Sequence, residues 1–285
     1  MTPVPTGTSG RRELRAWATR ELAAAGCVSA AAEADWLLEE ATDPEGSGEP
    51  RGGAPVRQEA LREMVTRRVA GEPLQYVIGW APFGRLRLAV GPGVFVPRPE
   101  TEGLADRAAT RLRTLPSPRT AVDLCTGSGA IACYLASEAP GTRVLATELD
   151  PGALAWARVN ADRYGVELFA GDLDAPLPPE LAGRVDVVCA NVPYVPSEAI
   201  ATLPTDVRDH EPRLSLDGGP DGLDLFRRLA ERAGHWLAPR GWLYCEIGED
   251  QAEEAAALLT AAGLAEVAVH QDLVGRDRIV EGTRP

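Results

Sequence analysis

From about residue 120 onward, short apolar runs alternate with Ala-rich stretches, and this alternation limits the possible folds most strongly. The apolar runs fall at 121–124, 144–147, 166–169, 185–190 and 242–247, and two weaker runs follow at 266–270 and 278–281. Strands that alternate with helices through short connections build a mostly parallel sheet covered on both faces. The predicted fold class is therefore α/β, with a Rossmann-like, mostly parallel sheet of seven strands.

The part of the chain before this alternation has a different pattern. Apolar residues recur at helical spacing over 11–41 and again over 58–69, and the intervening residues 43–55 are dense in Gly and Pro, as in a loop. A short apolar run at 86–90 between glycines predicts a β-hairpin. We therefore expect a small helical N-terminal domain at 1–80, a β-hairpin linker at 81–96 and an α/β domain at 97–285.

Composition and charge exclude several classes of protein. The chain has 285 residues, of which 45% are hydrophobic, and a formal net charge of -13. Nucleic-acid binders depend on basic patches, so this balance argues against direct nucleic-acid binding. No apolar run reaches the roughly 18 residues of a membrane span, and residues 1–12 lack the apolar core of a secretory signal. We expect a cytoplasmic protein without membrane contact.

The cysteines do not indicate a disulfide framework or a metal site. There are 5, an odd number, and no pair has Cys-x-x-Cys spacing. Three of them lie in or beside apolar runs, which is typical of small buried side chains in a reducing compartment. No metal ion is expected.

A glycine-containing turn follows the first strand and opens a helix. In Asp123-Leu-Cys-Thr-Gly-Ser-Gly129, small residues let the backbone approach a ligand at the carboxyl end of the strand. Glu148 ends the second strand and could accept hydrogen bonds from two ribose hydroxyls, while Asp172 and Leu173, after the third, could reach an adenine. The residues expected to bind a nucleotide-type cofactor are Asp123, Thr126, Gly127, Gly129, Glu148, Asp172, Leu173 and Asn191.

The turn alone also fits dinucleotide enzymes, so the choice of cofactor depends on the fourth strand. Asn191-Val-Pro-Tyr194 follows that strand and resembles the Asn-Pro-Pro-Tyr motif of methyltransferases that act on amino or amide nitrogen. An amide nitrogen is a poor nucleophile, and two fixed acceptors would favour the positive charge that develops on it. The Asn191 side-chain oxygen and the Val192 carbonyl would be these acceptors. Pro193 would stiffen the turn, and Tyr194 would pack against the planar substrate group.

Several further motifs extend this resemblance over residues 11–282. The chain resembles the HemK-type protein-(glutamine-N5) methyltransferases of bacterial release factors, on the combination of the cofactor turn and Asn191–Tyr194 with Gly71-Glu-Pro-Leu-Gln-Tyr76, Val96-Pro-Arg-Pro-Glu-Thr-Glu102, Asp206-Val-Arg-Asp-His-Glu-Pro212 and Leu216-Asp-Gly-Gly-Pro-Asp-Gly-Leu223.

The resemblance implies a class I methyltransferase fold. It also implies S-adenosyl-L-methionine as cofactor, S-adenosyl-L-homocysteine as product, and a release factor as partner, whose Gly-Gly-Gln loop presents its Gln. Residues 1–80 would bind that substrate, together with Pro99, Thr101 and Glu211, and we expect a monomer. Thr101 is also expected to cap the helix that follows it.

Three departures from the family pattern leave the substrate open. Val192 stands where the family has Pro, Cys125 where it has Gly, and one extra residue lies in the segment that ends at Pro212. These departures resemble an actinobacterial side branch, which could methylate a small molecule or peptide in specialised metabolism. A nucleic-acid base methyltransferase is a further hypothesis, since the tetrapeptide also serves flipped bases. The last hypothesis is a binding module that keeps the fold and has no catalytic activity.

Overall fold

The computed structural model describes residues 10–42 and 56–285. The chain forms two compact units: Met1–Trp80 with Thr205–His210, and Ala81–Pro204 with Glu211–Pro285. The sequence placed residues 205–210 in the α/β domain and made 81–96 a separate linker. The structure instead assigns 205–210 to the helical unit and 81–96 to the α/β unit. Local periodicity cannot reveal a segment that returns to an earlier unit, because such a return depends on distant contacts.

The first unit is helical. Its apolar stripes meet in one core around Leu14, Trp17, Leu37 and Leu61, each no more than 1% exposed. The helices are α1 (Arg11–Ala24), α2 (Ala30–Thr42), α3 (Gln58–Val69), α4 (Leu74–Ile78) and, from the later segment, α8 (Thr205–Arg208). The loop predicted at 43–55 and the tail predicted before residue 10 lie outside the described residues.

The second unit contains the sheet. Seven strands lie in the order β5-β4-β3-β6-β7-β9-β8, in which β3, β4, β5, β6 and β7 are parallel to one another and β9 is antiparallel to β7 and β8. Their bounds are β3 (Arg119–Leu124), β4 (Thr142–Glu148), β5 (Glu167–Ala170), β6 (Val185–Ala190), β7 (Leu237–Glu246), β8 (Ala265–Gln271) and β9 (Asp277–Thr283). The predicted seven-stranded, mostly parallel sheet is confirmed.

A separate hairpin precedes the sheet, and helices cover both sheet faces. The hairpin strands are β1 (Trp80–Phe83) and β2 (Leu86–Ala89). The helices are α5 (Pro99–Thr114), α6 (Ala130–Glu138), α7 (Pro151–Tyr164), α9 (Asp224–Trp236) and α10 (Ala252–Ala261). Successive residues of β3 point to opposite faces, so Val122 joins the core that contains Phe226 of α9, while Ala121 joins the core that contains Leu104 of α5.

This topology brings the carboxyl ends of the parallel strands to one edge of the sheet. The loops after β3, β4, β5 and β6 therefore meet there, with Glu246 at the end of β7 beside them. Ligands of open α/β sheets bind at this edge. Among the described helices, none is both long and apolar enough to cross a membrane.

Candidate active site

A cavity lies at the carboxyl edge of the sheet, within the second unit. Most of the residues proposed from the sequence line it: Thr101, Thr126, Gly127, Glu148, Asp172, Leu173, Asn191, Pro193 and Tyr194. Sequence reasoning did not propose several apolar residues that also line it, including Phe83, Phe95, Ile131, Leu149, Leu214 and Leu225. The cavity thus joins the expected cofactor turn to the Asn191–Tyr194 loop in one space.

Five proposed site residues do not line this cavity: Asp123, Gly129, Pro99, Val192 and Glu211. Asp123 is fully buried beneath the turn, where its Oδ2 accepts hydrogen bonds from the Thr126 hydroxyl and from the Ala132 N–H at 3.1 Å. Burial raises the pKa of Asp123 to about 7. Asp123 therefore braces the turn from inside the protein. Gly129, with φ 87°, directly precedes the first residue of α6.

The backbone of the cofactor turn is in the left-handed region at three alternate positions. Cys125 has φ 58°, Gly127 has φ 57° and Gly129 has φ 87°. Glycine occupies this region at little cost, whereas a residue with a Cβ is strained there. This conformation accounts for the Gly that the family pattern has at position 125. Burial also raises the pKa of the Cys125 thiol well above its usual range.

Glu148 is held at the end of β4 by backbone N–H groups. Its Oε2 accepts from Gly127 at 2.8 Å, and its Oε1 accepts from Leu149 and Asp150, each at 2.8 Å. Burial raises the pKa of Glu148, and these hydrogen bonds lower it. A carboxylate has about four lone-pair positions, so a fixed Glu148 retains capacity to accept from a ligand hydroxyl.

Two buried hydroxyl groups in the cavity wall support a polar ligand there. Ser128 Oγ and Thr147 Oγ1 have no hydrogen-bond partner within the described residues, and both residues line the cavity. Buried polar atoms are normally paired, so these two fit the hydrogen-bonding groups of a bound molecule. A Cβ built on Gly127 would meet no atom within 4 Å, which leaves open space beside the turn.

The third strand end contributes Asp172 and Leu173. Leu173 is 3% exposed and has φ 49°, whereas Asp172 is exposed and accepts a hydrogen bond from Arg228 at 2.8 Å. Leu149, Leu173 and Leu225 provide apolar surface in the cavity wall. Apolar surface for a flat ring, together with the Glu148 carboxylate, suits an adenosine group.

A chain of hydrogen bonds links the Asn191 loop to the end of β7. The Asn191 Nδ2 donates to Thr101 Oγ1 at 3.2 Å, and the Thr101 hydroxyl donates to Glu246 Oε2 at 2.5 Å. The Tyr194 hydroxyl donates to Glu246 Oε1 at 3.1 Å. The sequence singled out every member except Glu246. Its position at the end of an apolar run on the ligand-binding edge could have identified it.

The expected capping role of Thr101 is wrong. Helix α5 starts at Pro99, and the residue before it is Arg98, so Thr101 lies inside the first turn. Its side chain, 4% exposed, contacts Glu246 and Asn191 instead of the helix end. Pro at the first helical position removes the need for one capping acceptor, because it has no N–H.

The segment 216–223 packs closely against the Asn191–Tyr194 loop. Gln251 Nε2 donates to the Tyr194 carbonyl at 3.0 Å and to the Asp221 carbonyl at 3.1 Å. A Cβ on Gly222 would lie 2.2 Å from the Tyr194 oxygen, and one on Gly218 would lie 2.6 Å from the Pro193 oxygen. These glycines allow the two loops to approach closely, which explains the Gly-rich pattern of this segment.

Val192 and Glu211 do not line the cavity, and both contact other parts of the protein. The Val192 side chain is 1% exposed and belongs to the core on the α9 face of the sheet. Glu211 Oε1 accepts from Arg98 at 2.6 Å, and the Arg98 guanidinium lies 4.6 Å from the centre of the Phe95 ring. This ion pair fixes the segment before α5, and Pro212, next to Glu211, lines the cavity.

The fold and the site together define the class of this protein. The strand order, with one antiparallel strand inserted beside β7, and a nucleotide-type cavity at the carboxyl edge are those of a class I methyltransferase. A methyltransferase domain model matches residues 121–210, and a model of the PrmC N-terminal domain matches residues 13–79. A solved methyltransferase from Pyrococcus furiosus shares the fold, with a TM-score of 0.53 at 21% identity over 80% of this chain and 98% of that one.

Curated relatives give the family. The release factor glutamine methyltransferase of Geobacter sulfurreducens is 38% identical over 279 residues, which cover 95% of this chain and 95% of the relative. The enzyme of the same name from Streptomyces coelicolor is 44% identical over 218 residues, covering 76% of this chain and 77% of the relative. The chain belongs to the release factor glutamine methyltransferase family.

The protein is accordingly a methyltransferase whose cofactor is S-adenosyl-L-methionine. The residues of the cavity fit this group: the unpartnered hydroxyls, the Glu148 carboxylate and the apolar wall could hold its amino acid, ribose and adenine parts. The bound cofactor supplies a methyl group on a positively charged sulfur. The protein's own residues must then exclude water, orient the acceptor and stabilise positive charge on it.

Proposed function

We propose that this enzyme methylates the side-chain amide nitrogen of the glutamine in the Gly-Gly-Gln loop of a peptide-chain release factor. One observation carries the proposal: the Asn191 amide nitrogen is committed to Thr101 at 3.2 Å, beside the cavity. Since Nδ2 is turned towards Thr101, Oδ1 serves as the acceptor for a substrate NH2. The names of the curated relatives support the same substrate.

In this proposal the cavity residues fall into two groups. Thr126, Gly127, Glu148, Asp172, Leu173 and Asn191 bind the cofactor, while Asn191, the Val192 carbonyl, Pro193 and Tyr194 hold the amide that receives the methyl group. Thr101 supports Asn191. Asp123, Gly129, Pro99 and Glu211 act indirectly, because they shape the turn, the start of α5 and the ion pair with Arg98.

We further propose that residues 1–80, the N-terminal part of the helical unit, bind the protein substrate. We also propose that the enzyme works as a cytoplasmic monomer without direct nucleic-acid contact. The net charge of -13 supports the last point, because it does not favour binding to a polyphosphate. The molar mass of the free enzyme from light scattering should be that of a monomer. Filter-binding assays with labelled DNA and RNA at low salt should show no retention.

The substrate proposal is tested by incubating the enzyme with a release factor and labelled S-adenosyl-L-methionine, followed by peptide mass analysis. We expect one methyl group on the Gly-Gly-Gln glutamine. A release factor with Asn in place of that Gln is the matched control and should remain unlabelled. An unmodified glutamine with the wild-type pair would contradict the proposal.

A second candidate is a methyltransferase of a small molecule or peptide. The substitutions at Val192 and Cys125 favour it, because both lie in the loops that form the site. Intact-mass analysis of free peptides and amide-containing small molecules under the same conditions distinguishes the two candidates. Methyl transfer to such molecules, with none to the release factor, would support the second.

A further inference from the structure

Glu246 is a buried carboxylate that the proposed chemistry does not use directly. It ends β7, is 1% exposed, and has a hydrogen-bond donor at each oxygen: Thr101 at Oε2 and Tyr194 at Oε1. Burying a carboxylate is costly unless it is well paired. Thr101 and Tyr194, which both line the cavity, thus donate hydrogen bonds to the same buried carboxylate.

The direction of the hydrogen bonds follows from the chemistry of the groups. An ionised carboxylate can only accept hydrogen bonds, so the Thr101 hydroxyl must donate its single hydrogen to Glu246. The Thr101 oxygen can then only accept from its other neighbour, and the Asn191 side chain must present its NH2 to it. The Asn191 oxygen is thereby turned away from Thr101 and remains available as an acceptor.

The charged groups around Glu246 act in both directions. The pKa of Glu246 lies above its usual range, because burial, with a smaller contribution from Glu100, outweighs the hydrogen bonds from Thr101 and Tyr194 and the nearby Arg278 charge, which lower it. The two hydrogen bonds and the Arg278 charge favour the ionised form, and the hydrogen-bond directions above depend on that form.

We propose that Glu246 is a positioning residue: through Thr101 it fixes which end of the Asn191 amide faces the substrate. The proposal rests on the acceptor role of Asn191 in the proposed function. It assigns Glu246 no contact with the reacting atoms. Its effect on the reaction passes through Asn191, and this route separates it from a purely structural role.

Replacement of Glu246 by Gln tests the direction of the hydrogen bonds while keeping side-chain size. Gln offers one acceptor and one donor group, so either Thr101 or Tyr194 must accept from it. If Gln donates to Thr101, the Thr101 hydroxyl can turn to the Asn191 oxygen, and the Asn191 amide then reverses. We expect kcat to fall about 10-fold or more, as for loss of a preorganised polar group, with cofactor affinity unchanged.

The decisive kinetic measurement is a double-mutant cycle with Asn191→Ala. If Glu246 acts through Asn191, Glu246→Gln lowers kcat in the wild-type background and has almost no further effect in the Asn191→Ala background. Equal losses in both backgrounds would overturn the proposal, and so would an unchanged kcat in both Glu246→Gln and Thr101→Val. Thr101→Val should reproduce the Glu246→Gln loss, and Thr101→Ser should restore most of kcat.

Two variants outside the site control for general effects of burial. Glu281→Gln changes another largely buried carboxylate on β9, which pairs with His270 at 3.1 Å, and Thr283→Val removes a buried hydroxyl that donates to the Gly241 carbonyl at 3.0 Å. Both should leave kcat within about 2-fold of wild type, because neither residue contacts the cavity. Should Glu246→Gln fail to fold, Thr101→Val breaks the same connection at the next residue.

A second readout does not depend on the substrate. The side-chain NH2 signals of Asn191 are assigned by NMR as those absent from Asn191→Ala. We expect them to shift in Glu246→Gln and in Thr101→Val, and to stay in place in Glu281→Gln and Thr283→Val. Unchanged signals in both test variants would overturn the proposal. If the wild-type enzyme modifies no release factor, the proposed function fails, and the NMR result still decides the role of Glu246.

Discussion

The backbone N–H of Gly127 donates a hydrogen bond of 2.8 Å to the Glu148 carboxylate, which ties the turn after β3 to the end of β4. The bond holds a carboxylate that could bind ribose beside a glycine whose missing side chain leaves open space. The cofactor part of the site therefore depends both on the Glu148 carboxylate and on the absence of a side chain at Gly127.

Gly127→Ala should weaken cofactor binding more than it weakens the fold. The φ of 57° costs Ala about 1–2 kcal/mol of unfolding free energy. The added methyl group also occupies the cavity, so we expect the cofactor Kd from calorimetry to rise about 10-fold or more. Gly165→Ala is the control: it has φ 71° and open space, lies at the end of α7, and should show the stability loss alone. Equal cofactor affinities in the two variants would contradict this expectation.

Asn191→Ala should separate binding from turnover. The substitution removes the acceptor for the substrate NH2 and leaves the turn, Glu148 and the apolar wall intact. We expect kcat to fall about 10²-fold or more, since a preorganised polar group is lost, while the cofactor Kd rises only about 3-fold, because five of the six proposed cofactor-binding residues remain in place. Fixed-time assays with labelled cofactor measure kcat, and calorimetry measures the cofactor Kd. Unchanged turnover would show that Asn191 is structural.

Gly222→Ala should displace the Tyr194 loop. Its Cβ would lie 2.2 Å from the Tyr194 carbonyl oxygen and 2.5 Å from Gln251 Nε2, so backbone must move. We expect a loss of about 2 kcal/mol or more in unfolding free energy and a fall in kcat of about 10²-fold, because small displacements of the reacting groups are costly.

The matched control for Gly222→Ala is Gly263→Ala, at φ 86° with no atom within 4 Å of the new Cβ. It should cost about 1–2 kcal/mol through backbone strain alone and leave kcat unchanged. Urea unfolding and turnover assays on both variants provide the comparison. A Gly222→Ala enzyme as active as Gly263→Ala would show that the loop contact does not position the site.

Asp123→Asn should change how stability depends on pH. Burial raises the pKa of Asp123 from 3.8 to about 7, so the folded state holds its proton more tightly than the unfolded state does. The resulting stability is fully present below about pH 4 and is lost as pH rises towards 7. The unfolding free energy of the wild type should therefore fall, relative to Asp123→Asn, across this window in urea titrations. Parallel pH curves for the two proteins would contradict the assignment.

Much of the site could be predicted because it depends on strand ends. Glycine and acidic residues after successive apolar runs predicted Gly127, Glu148 and Asp172 beside one cavity, and Asn191–Tyr194 followed from the fourth run. Asp123, which was expected to bind the cofactor, does not line the cavity. Asp123 satisfies backbone and hydroxyl donors below the turn, because a buried carboxylate requires such partners.

The sequence by itself determined the α/β class, the seven strands and the edge at which the site lies, since these depend on local periodicity and on the position of each strand's end. Only the tertiary structure decided that Thr101 supports Asn191, that Glu246 supports Thr101, that Arg98 pairs with Glu211 and that residues 205–210 join the helical unit. Each of these depends on side chains far apart in the chain. Hydrophobic patterning records which face of an element is buried, and it carries no record of which distant polar group will meet it there.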